Sequence, residues 1–364
     1  MEYVQERVTT LHDFADPVPD APVDRAAVVV PATEREYASL AAERTFATLE
    51  RVDPARVVVA LRADEGRVGA IRDWLSAYDF DCEVLWCDGP GVEALLADAG
   101  LDGTRGKGRD VWLALGVAAA SEEYVVVHDA DAKGYSERHV RRLLFPLERG
   151  YDFSKGYYAR VENDRLYGRL FRLFYAPLVR ALADRHDAPI VDYLGAFRYA
   201  LSGEFAASGS LARRLRVPRG WGLEVGTLGD AFREAGFAGT AQVDLGVHEH
   251  DHRAVSGPSG LGDMSEQVGA ALLHALADGG VRPAFDGLRE AYREAAAALV
   301  EQYAADATFN GLDYDPGDER EQVSAYARAI RPPGTDDRLP AWDDAPIAPA
   351  AVREAAREDL EGIE

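Results

Sequence analysis

Lysine is nearly absent from this 364-residue sequence, which has three lysines among its 40 basic residues. Asp and Glu number 63, so the formal net charge is −23 at pH 7. A negative field of this strength repels nucleic acid and anionic membranes, and we expect neither as a partner. A carboxylate-rich surface with little lysine is typical of proteins that work in concentrated salt, where screening weakens self-repulsion. A GC-rich genome, which favours arginine and alanine codons, is the alternative explanation.

Cysteine is equally scarce. Cys82 and Cys87 are the only two, which excludes a disulfide framework and a four-cysteine zinc site. No apolar run approaches the roughly 20 residues that cross a bilayer, and the acidic N-terminus lacks a signal-peptide pattern. The hydrophobic content of 47% is ample for a packed core. These features predict a soluble cytoplasmic protein without a membrane span.

Short apolar runs alternate with amphipathic segments in the first part of the chain. The predicted strands are 26–31, 56–61, 82–87 and 124–128, and the predicted helices between them are 34–51, 67–78 and 109–120. This alternation predicts βαβ units and an α/β fold with a mainly parallel, Rossmann-like sheet. The middle is less regular, with an apolar helical stripe over 166–182, a helix from Val225 and a strand over 241–247.

The sequence divides into three predicted regions. Residues 1–255 form the sheet domain, and 256–330 form a C-terminal helical region. Residues 331–364 are an acidic Pro/Asp-rich linker followed by a tail helix, because the run RPPGTDDRLPAWDDAP carries the composition of a loop.

Asp129 and Asp131 stand one residue apart directly after the strand predicted at 124–128. In open α/β sheets, ligands bind beyond the carboxyl ends of the strands. Carboxylate oxygens suit Mg²⁺ or Mn²⁺, which are commonly shared with substrate phosphates. We therefore favour a divalent-metal site, and the alternative is a polar loop whose aspartates cap the next helix.

Lys107 lies between Gly106 and Gly108 where a helix is predicted to start. Glycines let backbone N–H groups approach an anion, and a helix N-terminus favours negative charge. We favour contact with a phosphate, to which the lysine adds a point charge. An ordinary flexible loop is the alternative.

Three of the eight histidines, His248, His250 and His252, follow the strand predicted at 241–247. On an extended strand, all three side chains lie on one face. Histidine at an oxygen-rich divalent site suits Mn²⁺ better than Mg²⁺. The alternatives are an exposed polar edge and a zinc site, and no thiols or H-E-x-x-H spacing support the latter.

The segment Gly220-Trp221-Gly222-Leu223-Glu224 delivers a single carboxylate to a predicted helix start. Its two glycines permit tight backbone geometry. Glu224 either serves the site or merely caps its own helix, and the segment alone does not decide between these interpretations.

In their order along the chain, these motifs resemble those of a known family. The order is V-V-P-A, G-K-G, D-A-D, S-K-G-Y-Y, G-W-G-L-E and A-Q-V-D-L-G-V-H-E-H. It resembles the glucosyl-3-phosphoglycerate synthase family of retaining glycosyltransferases, which have the GT-A fold, over about residues 26–276. The mannosyl-3-phosphoglycerate synthases share the aspartate pair and a similar glycine–glutamate turn, and they are the nearest alternative.

The resemblance implies the metal and nucleotide residues. Asp131 and His250 match metal ligands, with Asp129 beside them facing the nucleotide sugar. The residues implied to contact the nucleotide are Pro31, Ala32, Glu34, Lys107 and Asp129.

The resemblance also implies the sugar and acceptor residues. Glu224 matches a glutamate placed near the sugar and the acceptor, and Gly168 and Arg169 match a pair that holds phosphoglycerate. Lys155 and Gly195 are further substrate-binding candidates, and Arg172 lies one helical turn after Arg169 on the same face. The sequence differs from the family at Phe171, where a threonine is expected, and at His248, where an arginine is expected.

The resemblance thus implies a metal-dependent transferase with Mg²⁺ or Mn²⁺ as cofactor and Asp131, Lys107 and Glu224 as catalytic residues. It would move a hexose from a nucleotide sugar, UDP-glucose before others, to a small anionic hydroxy acid such as 3-phosphoglycerate. The family suggests a homodimer, and a glycerate glycoside would serve as precursor of a compatible solute. The alternatives are an enzyme that uses GDP-mannose and a catalytically silent relative that binds sugar nucleotides.

Overall fold

The computed structural model describes residues 5–247 and 258–363, without the side chains of residues 258, 259 and 261. The strands of these residues are β1 (Thr9–Leu11), β2 (Ala26–Thr33), β3 (Arg56–Arg62), β4 (Cys82–Trp86), β5 (Tyr124–Val127), β6 (Phe153–Ala159), β7 (Val161–Glu162), β8 (Arg165–Leu166), β9 (Phe205–Ser208) and β10 (Thr240–Val247).

Helices contribute more residues to the described chain than strands do. The α-helices are α1 (Leu40–Val52), α2 (Glu65–Leu75), α3 (Pro90–Asp98), α4 (Lys107–Ala119), α5 (Glu137–Glu148), α6 (Ala176–Ala183), α7 (Pro189–Gly195), α8 (Gly209–Ala212), α9 (Leu223–Glu234), α10 (Pro258–Asp278), α11 (Leu288–Asn310), α12 (Pro316–Tyr326) and α13 (Pro349–Glu361). Within the described ranges, none of them combines the length and apolarity that a membrane-spanning helix requires.

One sheet of eight strands organises the described residues, in the order β1-β10-β6-β9-β5-β2-β3-β4. The strand β9 is antiparallel to its neighbours β5 and β6, and the other neighbours are parallel. The carboxyl ends of seven strands and the amino end of β9 therefore meet at one edge of the sheet, which we call the carboxyl edge. This arrangement confirms the predicted mainly parallel α/β sheet.

The inner strands are buried on both faces because their side chains alternate between two cores. In β2, Ala27 and Val29 join the core that contains α4 and the C-terminal helices. Val28 and Val30 join the opposite core, which contains α1, α2 and α5. Continuous apolar runs rather than alternating patterns follow from this burial, which is why these strands were recognisable in the sequence.

Several elements differ from the sequence prediction. The helix predicted from residue 34 begins at Leu40, since Glu36 accepts hydrogen bonds from Thr33 and Ser39 caps α1. The stripe predicted as one helix over 166–182 starts in β8 and passes through a π-helical turn, Phe171–Tyr175, before α6. The strands β6 and β9 were not predicted, because β6 contains Lys155 and Gly156 and because β9, with the sequence Phe-Ala-Ala-Ser, has no β-branched residue and only one large apolar residue.

The C-terminal segment from residue 331 packs against the sheet domain, so its loop-like composition did not indicate a free linker. Trp342 stacks on Trp112 of α4 with ring centroids 4.0 Å apart. The Asp359 carboxylate of α13 accepts hydrogen bonds from the backbone N–H groups of Gly91 and Val92 at the start of α3, at 2.8 and 3.1 Å. Unpaired N–H groups at that helix start are thereby satisfied. The boundaries predicted at 255 and 330 stay predictions, and residue 255 lies outside the described residues.

Replacing Trp342 by alanine is expected to destabilise the fold by about 3–5 kcal/mol, the usual cost of truncating a buried tryptophan. The indole is nearly buried, and its Nε1 donates to the Trp112 carbonyl at 2.8 Å. Equilibrium unfolding in urea measures the change. The control is Phe309→Ala, because Phe309 is 89% exposed and should shift stability by no more than about 0.5 kcal/mol. Equal midpoints for the two variants would contradict the packing role of the tail.

Candidate active site

Most of the residues predicted for the site lie at the carboxyl edge. Pro31 and Ala32 are near the end of β2, Asp129 and Asp131 follow β5, and Lys155 is in β6. In β2, the backbone N–H and C=O groups of successive residues point alternately toward β5 and β3. Those of Val29 point toward β5, so the backbone of Pro31 also points to the β5 side. Pairing between β2 and β5 ends at Val29, so no hydrogen bond between the strands is lost because Pro31 lacks a backbone N–H.

The carboxylates of Asp129 and Asp131 repel each other. Burial and the charge of Asp129 raise the pKa of Asp131 to about 7, and Glu36 adds to the rise while Lys107 opposes it. A divalent cation held by both carboxylates would relieve this repulsion, so the donor set fits Mg²⁺ or Mn²⁺. Among the described residues, no three His, Cys, Asp or Glu side chains are arranged around one metal position. His250 lies outside the described residues, and its role as third ligand stays a prediction.

Lys107 connects the aspartate pair with Glu224. Its Nζ lies 2.6 Å from Asp129 Oδ1 and 3.3 Å from Glu224 Oε1. Burial alone would lower the pKa of Lys107, but the carboxylates of Asp129 and Glu224 raise it above its ordinary value. The lysine therefore stays protonated and carries a fixed positive charge between Asp129, a predicted metal ligand, and Glu224, a predicted catalytic residue.

Close packing of the start of α4 against the segment before α9 sets the position of Lys107. The start of α4 runs against the segment before α9, and the N–H of Arg109 donates to the Arg219 carbonyl at 3.0 Å. A Cβ at Gly108 would collide with the Pro218 carbonyl oxygen. Glycine at this position lets the two backbones touch, which brings Lys107 of α4 close to Glu224 of α9.

Glu224 lies in the first turn of α9 and is buried. It is held there by the turn that precedes it, in which the N–H of Trp221 donates to Gln267 Oε1 of α10 at 2.9 Å. The glycine–glutamate turn thus places its carboxylate against Lys107 rather than over its own helix end. The structure brings together Lys107, Asp129 and Glu224, which come from three separate motifs.

The segment before β9 supplies a residue that sequence reasoning missed. Glu204 is 1% exposed, and burial and the charge of Asp129 raise its pKa to about 7. A Cβ at the preceding Gly203 would collide with the Asp129 carboxylate, which shows how closely this segment approaches the aspartates. A glycine–glutamate pair before four mostly apolar residues was the only sequence signal.

Lys155, predicted to bind substrate, is fully buried below this segment. Its Nζ donates to the Ser202 carbonyl at 2.5 Å and lies 5.8 Å from the centre of the Phe205 ring. Burial lowers the pKa of Lys155 to about 8, although the charges of Glu224 and Glu204 oppose the shift. The contacts show Lys155 supporting the turn that carries Glu204, and its contact with substrate stays a prediction.

Arg160, which follows β6, is a second residue that the sequence did not single out. Its Nη1 donates to the Tyr199 hydroxyl at 3.3 Å. Burial alone would lower the pKa of the Arg160 guanidinium, but Tyr199 and nearby groups that include Asp131 raise this pKa above its ordinary value. A Cβ on Gly168 would lie 3.3 Å from the same hydroxyl. Tyr199 therefore connects the aspartate side of the site with the predicted acceptor side.

The predicted acceptor residues make contacts that no sequence pattern indicated. Arg169 and Arg172 both donate to Glu319 of α12, at 2.8 and 3.0 Å. Both guanidinium groups reach this one carboxylate, as the face predicted to be common to Arg169 and Arg172 implies, but Arg172 is buried in the ion pair. Phe171 packs edge-on to Tyr199 with ring centroids 5.1 Å apart.

Two predicted residues lie apart from the contacts described above. Gly195 ends α7, where a Cβ on the glycine would lie 3.4 Å from Val179 of α6. Glu34 is exposed beyond β2, while Glu36 is the residue whose charge reaches Asp131. The roles of Gly195 and Glu34 stay predictions.

The site thus holds the aspartate pair on one side of Lys107 and Glu224 on the other. This arrangement of charges suits the transfer of a group from a diphosphate. No family model matches the sequence. A glucosyl-3-phosphoglycerate synthase from Methanococcoides burtonii is 34% identical to it over 388 aligned residues, which cover 97% of this chain and 96% of the relative. The chain belongs to the glucosyl-3-phosphoglycerate synthase family. It is accordingly a glycosyltransferase, and the predicted resemblance is confirmed.

Solved structures of glucosyl-3-phosphoglycerate synthase from Mycobacterium tuberculosis share the fold and confirm its GT-A class. One, in complex with Mn²⁺, UDP-glucose and phosphoglyceric acid, is 27% identical with a TM-score of 0.56 and covers 76% of this chain and 89% of its own. Another, in complex with Mg²⁺ and UDP, is 27% identical with a TM-score of 0.57 and covers 76% and 88%.

Proposed function

We propose that the chain transfers glucose from UDP-glucose to 3-phosphoglycerate with retention of configuration and with Mg²⁺ or Mn²⁺ as cofactor. The observation that carries the proposal is the ion-pair cluster in which Lys107 joins Asp129 to Glu224. It places a positive charge and two carboxylates at one point of the carboxyl edge. The relatives named for this reaction, and the ligands of the related structures, supply the identities of donor and acceptor.

The leaving diphosphate determines what the donor side must provide. A divalent ion held by Asp129, Asp131 and His250 would act as a Lewis acid on the diphosphate. Lys107 is fixed, protonated and adjacent, so it stabilises negative charge that develops on the leaving group without reorganising. Pro31 and Ala32 are half-buried where β2 passes the end of β5, and they form one wall for the nucleoside.

The position of Glu224 supports retention. The carboxylate contacts the same ammonium group that neutralises the leaving group, so it lies on the leaving-group side of the sugar. From there it can orient the acceptor hydroxyl and take its proton during attack from the front face. Inversion would instead require a general base on the opposite face of the sugar, away from Lys107.

The acceptor side carries positive charge. Arg169 is 42% exposed, and a guanidinium binds carboxylate or phosphate with two parallel hydrogen bonds. Arg160 and Tyr199 add donors between Arg169 and the aspartates. An anionic acceptor of the size of 3-phosphoglycerate fits this arrangement better than a neutral sugar.

The acidic composition of the chain agrees with the proposed product. A charged glucosyl glycerate, as precursor of a compatible solute, would suit a cell adapted to concentrated salt, in which a protein of net charge −23 is screened. The homodimer and the cytoplasmic location stay predictions of the family resemblance and of the sequence.

Arg169→Ala is expected to raise the acceptor KM about ten- to a hundredfold and to leave donor binding unchanged, because a charge-assisted hydrogen bond is worth about 1.5–3 kcal/mol. Initial rates are measured with UDP-glucose and Mg²⁺ or Mn²⁺ against 3-phosphoglycerate, glycerate and a neutral sugar. NMR of the product gives its anomeric configuration.

The matched control is Arg165→Ala, since Arg165 is exposed on the neighbouring hairpin and pairs with Asp313 at 3.7 Å. Its acceptor KM should equal that of the wild type. Preference for GDP-mannose or for a neutral acceptor would refute the proposed substrates, and absence of turnover with every donor would favour a silent relative.

A further inference from the structure

We infer that Glu319 positions Arg169 for the anionic acceptor, so that helix α12 of the C-terminal region contributes to the acceptor site. The inference rests on the proposed function and adds a positioning residue to it. Glu319 lies 147 residues beyond Arg172 in the sequence and belongs to none of the motifs that carry the family resemblance.

The Glu319 carboxylate is shared by two guanidinium groups. Its Oε1 accepts from Arg169 Nε at 2.8 Å and its Oε2 accepts from Arg172 Nη1 at 3.0 Å. Glu319 is 3% exposed, so little water competes for these bonds. One carboxylate between two guanidinium groups leaves the trio with one net positive charge, which is available to an anion.

Arg172 is held by several contacts and in turn fixes the Glu319 carboxylate. Its Nε donates to the Tyr167 carbonyl at 3.0 Å, its Nη2 donates to the Leu166 carbonyl at 3.3 Å, and its guanidinium lies 4.7 Å from the centre of the Tyr303 ring. With all three nitrogens engaged, Arg172 serves as an anchor for Glu319 and not as a ligand for the acceptor.

Helix α12 is itself held in place. The Asp315 side chain caps it by accepting from the N–H of Gly317 at 2.7 Å. The N–H of Asp313 donates to the Asp164 carbonyl at 2.7 Å, which ties the start of the helix to the β7–β8 hairpin. The carboxylate of Glu319 is therefore in position before any acceptor arrives.

Arg169 has a different role from Arg172, because it donates to Glu319 through its Nε alone. Among the described residues, none accepts a hydrogen bond from its two terminal nitrogens, and the side chain is 42% exposed. An exposed arginine has many rotamers, and fixing one end lowers the entropy cost of binding at the other. Glu319 thus orients the guanidinium with its two terminal nitrogens toward solvent.

Glu319→Gln is expected to raise the acceptor KM about tenfold and to leave the donor KM and the kcat at saturating acceptor within about twofold. Loss of the carboxylate also removes a negative charge, which by itself would improve anion binding. Measurement at low and at molar salt separates the two effects, since only the charge effect is screened. The rise in KM should therefore be larger in molar salt.

A double-mutant cycle tests whether Glu319 acts through Arg169. In an Arg169→Ala background, Glu319→Gln should change the acceptor KM no further, whereas a merely structural role would add its effect. Arg169→Lys, which keeps the charge and the Glu319–Arg172 pair but lacks Nε, should raise the KM much as Glu319→Gln does. Glu301→Gln, on the exposed Glu301–Arg320 pair of α11 and α12, is the control and should match the wild type.

An unchanged or lowered acceptor KM for Glu319→Gln in molar salt, or additive effects in the cycle, would overturn the inference while leaving the proposed function intact. Failure of the wild type to use any anionic acceptor would instead refute the proposed function. Melting temperatures identify variants that have lost their fold, and Arg169→Lys then supplies the test.

Discussion

Asp131→Asn should lower the rate of transfer by about a thousandfold, because loss of Lewis-acid assistance to the leaving diphosphate removes several kcal/mol of transition-state stabilisation. The fold should survive, since a neutral amide avoids both the cost of burying a charge and the repulsion with Asp129, which together raise the pKa of Asp131. Initial rates with Mg²⁺ or Mn²⁺, and calorimetric titration with the metal, measure the two effects. Chelation of the metal should abolish the wild-type activity equally.

The raised pKa adds a pH dependence to this expectation. A cation binds the ionised carboxylate, so binding must expel the proton that Asp131 holds below a pH of about 7. Metal affinity should therefore fall as the pH is lowered through 7. The exposed Asp102→Asn serves as control. Full activity in chelator, or in Asp131→Asn, would remove Asp131 from the metal site.

Lys107→Met should lower kcat by about a hundred- to a thousandfold, the usual cost of removing one preorganised group that stabilises a developing oxyanion. Methionine keeps the length and the apolar stem of the side chain but removes the charge that lies 2.6 Å from Asp129 and 3.3 Å from Glu224. Steady-state rates and the affinity for UDP in the presence of metal are the measurements.

Arg105→Met is the matched control for Lys107→Met. Arg105 lies two residues earlier, is exposed and pairs with Glu93 at 2.5 Å, so its loss should leave kcat within about twofold. If Lys107→Met retains both the wild-type rate and the wild-type affinity for UDP, Lys107 only contributes to the packing of α4 against the segment before α9.

The sequence was most informative where burial is continuous. The strands β2, β3 and β5 were recognisable as apolar runs because both their faces are covered, and their direction predicts that Asp129 and Asp131 meet Pro31 and Ala32 at one edge. The strand β6 was missed, since Lys155 and Gly156 interrupt its pattern for reasons that belong to the site. Lys155 is buried under the turn that carries Glu204, a contact that no local rule contains.

Contacts between distant parts of the chain account for the other differences. Arg169 and Arg172 reach the same carboxylate, as their helical spacing implies, but the spacing did not reveal that Glu319 of α12 is their partner or that Arg172 is buried against it. A single sequence offers no signal that pairs residues 147 positions apart. The composition of residues 331–348 likewise indicated a loop correctly but did not reveal that Trp342 packs on the sheet domain.

The stacking of Trp342 on Trp112 also has a consequence for synthesis on the ribosome. The two residues are 230 positions apart, so at about 5–20 residues per second the surface of α4 around Trp112 stays uncovered for roughly 10–45 s after its own synthesis. During that interval the nascent chain presents an apolar ring to its crowded surroundings. A segment that emerges late in translation therefore completes the protection of a helix that is made much earlier.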